Sequence, residues 1–211
     1  MNEREALIKA FSPPSGEKRA WQRMLSGRRL DLLNPNPADV EIEDIAHGLA
    51  RVARWNGQTV GEHAFSVAEH SLFVVDVLLH LNPNAPKEWQ LAALLHDAPE
   101  YVIGDLISPF KAAIGMDYKV FELKLLAAIH QRFGLVDGVE ESLNRAIKQA
   151  DTIAAYFEAV QLAGFSEDEA RALFMSSSVD ADQLNGFDVQ LVPVSVAEAQ
   201  RAFLERFRVL S

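Results

Sequence analysis

The sequence predicts an all-α fold with six or more helices. Apolar residues recur at helical spacing in one segment after another, and proline, glycine or a capping residue bounds each of these segments. Only residues 187 to 194 alternate apolar and polar side chains as a strand does, and one short strand does not make a sheet. A chain of 211 residues can bury one sizeable core. We therefore expect a main domain over residues 39 to 211, with residues 1 to 38 as an N-terminal extension packed on it.

Three helices are expected in the first half of the chain. Apolar spacing predicts a helix over residues 40 to 53, ended by an Asn-Gly pair, and a second over residues 64 to about 80, ended by the sequence NPNAP. The third helix begins near residue 87 and runs at least to residue 98, where Pro99 ends or kinks it.

Four more helices are expected in the second half. Residues 120 to 133 and 140 to about 163 have an apolar face, and a glycine closes each segment. Two later helices are indicated by capping boxes, in which a serine and a glutamate three residues later bond each other's backbone N–H. These pairs are Ser166 with Glu169 and Ser195 with Glu198. The alternating segment 187 to 194 falls between them, and we expect it to lie extended over the helices.

The composition and charge of the chain exclude several classes of site and partner. The absence of cysteine excludes disulfides and thiolate metal sites, so any metal must be held by nitrogen and oxygen ligands. The formal net charge of −10 disfavours nucleic-acid polymers and anionic membranes as partners. No apolar run approaches the ~20 residues of a membrane span, and the first residues lack the pattern of a signal peptide. We expect a cytoplasmic protein, and a small anionic ligand would need a metal or a few placed cations.

Four polar side chains interrupt an apolar segment, LLHDAPEYVIGDLISPFK, at residues 94 to 111. They are His96, Asp97, Glu100 and Asp105. A carboxylate that faces a core costs several kcal/mol unless it is paired or binds a metal. Because imidazole and carboxylate can converge on one divalent ion, His96 and Asp97 suggest half of a metal site, and the other ligands must come from elsewhere in the chain.

Two further polar residues break an apolar helical face. His70 lies on the apolar stripe of the second helix, and Asp151 lies on that of the long helix. With His96 and Asp97 they make a two-His, two-Asp site that leaves positions open for water and substrate. The alternative is that all four are core polar groups with ordinary partners and that the two later carboxylates are surface charges. The remaining histidines are interpreted as ordinary ones: His47, His63, His80 and His130.

Three short motifs in this order resemble the signature of the HD-domain metal-dependent phosphohydrolases. They are EHS at residues 69 to 71, LLHDAPE at residues 94 to 100 and QAD at residues 149 to 151. The resemblance covers about residues 40 to 165 and implies an HD-domain helical bundle. Within that superfamily, the chain is most similar to the short bacterial 5′-deoxynucleotidase group. The similar stretches are RW at 54 and 55, VAEHS at 67 to 71 and HDAPEYVIGDLISPFK at 96 to 111.

The resemblance implies roles for nine residues. One divalent ion, Co²⁺, Mn²⁺, Mg²⁺, Zn²⁺, Ni²⁺ or Fe²⁺, would be bound by His70, His96, Asp97 and Asp151. The carboxylates that would handle the protons of the attacking water and the leaving oxygen are Glu100 and Asp105. The substrate would be met by Arg54 on its phosphate, Trp55 on its sugar and, as a weaker candidate for the phosphate, Lys111. A planar guanidinium suits phosphate, and an indole suits stacking.

The resemblance thus implies hydrolysis of (deoxy)nucleoside 5′-monophosphates to nucleoside and phosphate by a homodimer. Three alternatives stay open at this point. The chain could be a non-catalytic HD module that binds a nucleotide as a sensor. It could be an HD phosphodiesterase or pyrophosphohydrolase acting on another nucleotide. It could also be a structural helical domain whose polar core residues have ordinary partners.

Overall fold

The computed structural model describes residues 20–106, 116–135, 140–174 and 187–211. These ranges contain eight α-helices and one two-stranded sheet. The helices are α1 Ile42–Leu49, α2 Val67–Leu81, α3 Lys87–Leu94, α4 Glu100–Ile103, α5 Met116–Arg132, α6 Glu141–Gln161, α7 Glu167–Phe174 and α8 Val196–Leu210. The predicted all-α class with six or more helices is confirmed. Within these ranges, no helix combines the length and the hydropathy that crossing a membrane requires.

Most helices lie where the apolar spacing predicts them. For α1, α2, α5 and α6, the first and last residues of the helix differ from the predicted ones by one to four residues. Their apolar faces meet in one core, to which α1, α2, α3, α5, α6 and α8 all contribute. Helix α2 packs along α6 and α3 and is mostly buried, so residues on it can face several neighbouring helices at once.

A small hairpin precedes the helices, and the sequence pattern does not predict it. Strand β1 Trp21–Arg23 pairs antiparallel with β2 Arg29–Asp31. Strands of three residues are too short for an alternating pattern to stand out. Leu30 is fully buried, and the Asp44 carboxylate of α1 accepts hydrogen bonds from the N–H (2.9 Å) and hydroxyl (2.6 Å) of Ser26. This part of the expected extension packs on the helices, and the division into extension and main domain stays a prediction.

Helix α3 ends earlier than predicted. Its last residue is Leu94, whereas the leucine-rich pattern predicts helix at least to Ala98. Pro99 has no N–H to bond the Leu95 carbonyl, and the Ala98 N–H bonds that carbonyl instead, at 3.0 Å. The residue before a proline also avoids helical backbone angles. Residues 95 to 99 therefore form a turn that leads into α4, and the His-Asp pair projects from this turn rather than from a helix.

The C-terminal part wraps back over the central helices. Residues 187 to 195 are neither helix nor strand and lie against α2 and α6, where the alternating pattern predicts an extended segment. The Phe187 ring stacks on Phe73 with centroids 5.9 Å apart. The Gln161 amide donates to the Val189 carbonyl and accepts from the Leu191 N–H, both at 2.9 Å. The helices on either side of this segment, α7 and α8, begin at the two predicted capping boxes.

Candidate metal centre

His70 lies in the first turns of α2 and is fully buried. Its Nδ1 bonds the Glu158 carboxylate of α6. Its Nε2 lies 3.3 Å from an Asp151 oxygen and 3.5 Å from an Asp97 oxygen. An Nδ1–H that donates to a carboxylate fixes the tautomer in which Nε2 carries a lone pair. The ring is therefore oriented with its second nitrogen towards two carboxylates.

His96 repeats this arrangement from the turn after α3. Its Nδ1 bonds the backbone carbonyl of Ala93 at 2.7 Å, and its Nε2 lies 3.2 Å from an Asp97 oxygen. The His70 and His96 rings lie with centroids 5.3 Å apart. The carbonyl of the preceding helical turn thus fixes the His96 tautomer as the carboxylate fixes that of His70. Both imidazoles direct Nε2 to the same small volume.

The two Nε2 atoms are the observation that makes this cluster a candidate metal site. Both are buried, and neither makes a hydrogen bond within the part of the chain that the structure describes. Buried polar atoms of native proteins nearly always have a partner, so two neighbouring exceptions call for a ligand. One ligand atom each of His70, His96 and Asp97 lies within 4.8 Å of the others, which is close enough to hold one ion. Nitrogen and oxygen donors of this kind suit a divalent transition metal.

Asp151 joins the cluster from α6. It lies on the long helix with one oxygen against His70 Nε2, as given above, although it is not part of the three-residue group His70, His96 and Asp97. The structure thus brings together all four residues that the sequence predicts as ligands, from α2, α6 and the turn after α3. The donor set fits a divalent ion.

The electrostatics of the cluster follow from burial and opposite charges at short range. Burial disfavours the charged form of Asp97, but the His96 and His70 imidazoles outweigh burial and lower its pKa well below the ordinary range. Burial likewise opposes charge on His96, but the Asp97 carboxylate outweighs it and raises the pKa of that imidazole. For His70, burial and Arg54 oppose protonation, and Glu158 with the aspartates raises the pKa well above its usual value. A cation that binds at Nε2 must displace any proton held there, so the raised pKa values of both imidazoles make protons stronger competitors of a metal ion.

Glu100 and Asp105 lie just beyond the turn that carries the His-Asp pair. Glu100 opens α4 and is 1% exposed. Helix α1 approaches α4 so closely at Gly48 that a Cβ there would lie 2.7 Å from the Cβ of Tyr101. Gly48 therefore permits the contact that presses α4 against the core, while Gly104, with φ of 77°, turns the chain so that Asp105 follows outside the helix.

Arg54 and Trp55 lie in a short 3₁₀ turn, Arg54–Gly57. Trp55 and Asn56 both have positive φ, at 55° and 52°, which residues other than glycine rarely adopt. The Arg54 guanidinium lies 3.3 Å from an Asp105 oxygen and 3.2 Å from a Glu158 oxygen. These contacts tie the turn to Asp105, which follows α4, and to Glu158 of α6.

The indole of Trp55 is held by an aromatic group on one side and a carboxylate on the other. Its ring centroid lies 5.7 Å from that of Phe165 and 5.9 Å from that of Phe174. Its N–H donates to the same Glu158 oxygen at 2.9 Å. The structure therefore brings Arg54, Trp55 and Asp105 to the metal-site cluster, whereas Lys111, the remaining predicted substrate residue, lies outside the described residues.

Glu158 is the residue that sequence reasoning missed. It is fully buried, and its two oxygens bond His70 on one side and Arg54 with Trp55 on the other. Burial would raise its pKa, but the His70 and Arg54 charges outweigh burial and lower it. A signal was present: Glu158 follows Asp151 by seven residues, two helical turns, so the two share the buried face of α6. In an amphipathic helix with other acidic residues, that signal does not stand out.

Comparisons with known proteins give a family and two similar chains. Residues 45–176 match the family described as 5′-deoxynucleotidase YfbR-like. The chain is 56% identical over 193 residues to an uncharacterized protein of Rhodobacter capsulatus, which covers 92% of this chain and 96% of the relative. It is 29% identical over 189 residues to the uncharacterized protein YfdR of Escherichia coli K12, which covers 90% of this chain and 94% of the relative. The chain belongs to the YfbR-like 5′-deoxynucleotidase family of the HD-domain superfamily.

Proposed function

We propose that this protein is a metal-dependent phosphohydrolase that converts (deoxy)nucleoside 5′-monophosphates to nucleoside and phosphate. The observation that carries the proposal is the pair of buried imidazole Nε2 atoms, directed at aspartates and without hydrogen bonds in the described part of the chain. Membership of a family described as 5′-deoxynucleotidases supports the substrate class. We assign His70, His96, Asp97 and Asp151 as the ligands of one divalent ion, which could be Co²⁺, Mn²⁺, Mg²⁺, Zn²⁺, Ni²⁺ or Fe²⁺.

The chain's own residues account for the remaining requirements of the reaction. When bound, a divalent ion would supply Lewis acidity to the phosphoryl group and lower the pKa of a nearby water. Phosphomonoester hydrolysis also needs a group that accepts a proton from the attacking water and one that donates a proton to the leaving 5′ oxygen. We assign these two roles to Glu100 and Asp105. Their surroundings differ, since Glu100 is buried in the core whereas Asp105 is paired with Arg54.

We assign substrate recognition to the Arg54–Gly57 turn. Arg54 has five N–H donors, and its contacts with Glu158 and Asp105 fix the plane of the guanidinium without using every donor. An oriented guanidinium binds phosphate with less loss of side-chain freedom than a mobile one. Trp55, immobilised by its aromatic neighbours and by Glu158, offers a rigid wall to the sugar. Lys111 is proposed as a second cation for the phosphate.

A metal and nucleotide panel tests this function. The protein is stripped with a chelator, reloaded with each of the six ions, and incubated with every ribo- and deoxyribonucleoside 5′-monophosphate while phosphate release is measured. We expect release from deoxyribonucleotides with at least one ion, and none from the Asp97→Ala variant. If reloaded protein binds nucleotides but leaves all of them intact, the sensor alternative replaces the proposal. If it cleaves only phosphodiesters or nucleoside polyphosphates, the phosphodiesterase or pyrophosphohydrolase alternative does.

Two expectations from the sequence accompany this proposal as predictions. One is a homodimeric state, which sedimentation analysis of the metal-loaded protein tests. The other is a cytoplasmic location, which fractionation of cells that produce the protein tests.

A further inference from the structure

We infer that Glu158 is a positioning residue that couples the metal centre to the substrate-binding turn, because a single carboxylate holds a metal-site histidine with one oxygen and the arginine and tryptophan of that turn with the other. The inference rests on the proposed function for its substrate side. The part that concerns the metal centre rests on the observed contact between Glu158 and His70.

The two oxygens of Glu158 are divided between the two sites. Oε1 bonds Nδ1 of His70. Oε2 accepts from the Trp55 indole N–H at 2.9 Å and from the Arg54 Nε–H at 3.2 Å. Because each oxygen serves one side, a movement of the carboxylate towards either site changes the hydrogen bonds of the other.

The position of Glu158 leaves little freedom for the carboxylate to adapt. Its side chain is fully buried, and it lies on the same helix and face as Asp151. Helix α6 therefore offers one carboxylate directly to the metal site and orients His70 through a second. Hydrogen bonds to the second nitrogen of a ligating histidine fix its ring and raise its basicity as a ligand.

The substrate-binding turn depends on contacts of this kind. Two successive residues other than glycine, Trp55 and Asn56, have positive φ, and such backbone persists only where surrounding structure holds it. Glu158 bonds the residue before this strained pair and the first residue of it. An ion that pulls the His70 ring into a defined position would therefore act on the Trp55 indole through one shared carboxylate.

The test measures this coupling without any turnover. In ¹⁵N-labelled protein the three tryptophans give three indole N–H signals, and the Trp55→Phe variant identifies the one from Trp55. Diamagnetic Zn²⁺ is then added to metal-free protein. We expect the Trp55 indole signal to shift as Zn²⁺ binds, and an unmoved signal in the wild-type protein would overturn the inference.

Variants of Glu158 separate coupling from simple proximity. Glu158→Gln offers one acceptor and one donor in place of two acceptors, so it cannot accept hydrogen bonds on both sides. We expect its Zn²⁺ affinity, measured by calorimetry, to fall about 10- to 100-fold, and the Trp55 response at saturating Zn²⁺ to be largely lost. At saturating metal, KM for a deoxynucleotide should also rise. Should Glu158→Gln not fold, Glu158→Asp keeps the charge but is too short to reach both sides.

Asp44→Asn is the matched control. Asp44 is also a buried carboxylate with two bonded oxygens, but its partner is Ser26 of the hairpin turn. It should keep wild-type Zn²⁺ affinity and the wild-type Trp55 response. If Glu158→Gln behaves like this control in both measurements, Glu158 is structural only. If the Zn²⁺ results hold but no nucleotide is hydrolysed, the coupling stands and the proposed function fails.

Discussion

Two neighbouring buried residues of α2, Glu69 and His70, belong to two polar clusters that differ in how far their own hydrogen bonds are satisfied. Glu69 forms the cap cluster with Ser66 and Val194. One of its oxygens accepts from the N–H (2.9 Å) and hydroxyl (2.6 Å) of Ser66, and the other accepts from the Val194 N–H at 2.9 Å. It joins the start of α2 to the segment that precedes α8.

His70 belongs to the site cluster, which also contains His96, Asp97 and Asp151. Here the acceptors and donors do not complete one another, because the Nε2 atoms of both histidines make no hydrogen bond in the described ranges. A cluster that only stabilises the fold satisfies its own polar atoms, whereas a cluster that binds a ligand keeps some of them for that ligand. This is the difference between the two clusters, since both join different parts of the chain.

Replacing one carboxylate in each cluster gives the largest expected contrast. Asp97→Asn keeps the shape of the side chain but removes a charged ligand, so kcat/KM should fall at least about 10³-fold, equivalent to roughly 4 kcal/mol of transition-state stabilisation. Glu69→Gln should keep kcat/KM within a few-fold of the wild-type value. Phosphate release at saturating metal measures both. Substantial metal-dependent activity in Asp97→Asn would remove the distinction between the clusters.

Metal removal sharpens the comparison next, because only the site cluster should respond. A ligand that binds the folded state alone stabilises it by about 2.7 kcal/mol at 100 times its Kd. We expect reloading of the stripped protein to raise the free energy of unfolding in urea by about that amount. The Glu69→Gln variant should show the same gain and Asp97→Asn should lose most of it. An equal gain in both variants would place the ion elsewhere.

The pH dependence of this gain has a defined sign. The pKa values of His70 and His96 are raised in the metal-free protein, so protons compete with the ion up to a higher pH than they would at ordinary histidines. The protonated pairs stabilise the metal-free fold below the unfolded pKa, and this contribution is lost as pH rises through the folded pKa. Metal-dependent stabilisation should therefore grow with rising pH and shrink with falling pH. Urea unfolding with and without Zn²⁺ at several pH values measures it.

The sequence predicted much of the fold and the partners in the site cluster for identifiable physical reasons. Apolar spacing located the helices because burial of one face imposes it. Unexpected polar residues on those faces located His70 and Asp151, which the structure places beside the His-Asp pair. These are local signals, and each can be detected in a window of a few turns.

The features that sequence missed depend on contacts between distant segments. Helix α3 ends at Leu94 because the Ala98 N–H bonds the Leu95 carbonyl, which Pro99 has no N–H to bond. The leucine-rich pattern continues through this point, so it gives no sign that the helix ends there. The role of Glu158 depends on three partners, His70 on α2 and both Arg54 and Trp55 in the substrate-binding turn, which lie 88 or more residues away in the sequence. Glutamate on a helix is usually exposed, so its residue type gave no reason to expect burial.

Weakening the cap cluster should affect stability and leave the chemistry intact. Glu69→Ala removes the acceptor of three hydrogen bonds and leaves the Val194 N–H without its partner, which should cost about 1 to 3 kcal/mol of unfolding free energy. Glu198→Ala removes the corresponding capping box of α8, where the glutamate is exposed, and should lower the free energy of unfolding by less. Urea unfolding of the metal-loaded variants compares them. A loss of metal affinity in Glu69→Ala beyond that in Glu198→Ala would show that the two clusters are not independent.

His130 provides the smallest effect and the strictest check on the comparison. Its Nε2 is buried without a hydrogen bond in the described ranges, as in the site cluster, but here burial lowers the pKa, whereas the carboxylates of the site cluster raise the pKa of its two histidines. A buried imidazole whose pKa is lowered by burial should resist protonation. Burial lowers the pKa of His130, so its contribution to stability is present above the unfolded value near 6.5 and is lost as pH falls. This is opposite in sign to His70 and His96 in the metal-free protein.

We expect NMR titration to give His130 a pKa below 6.5 and His130→Leu to lose less stability than the wild type between about pH 7 and pH 5. A pKa at or above 6.5 would contradict this prediction. It would mean that a buried imidazole nitrogen without a hydrogen bond does not by itself indicate a neutral histidine.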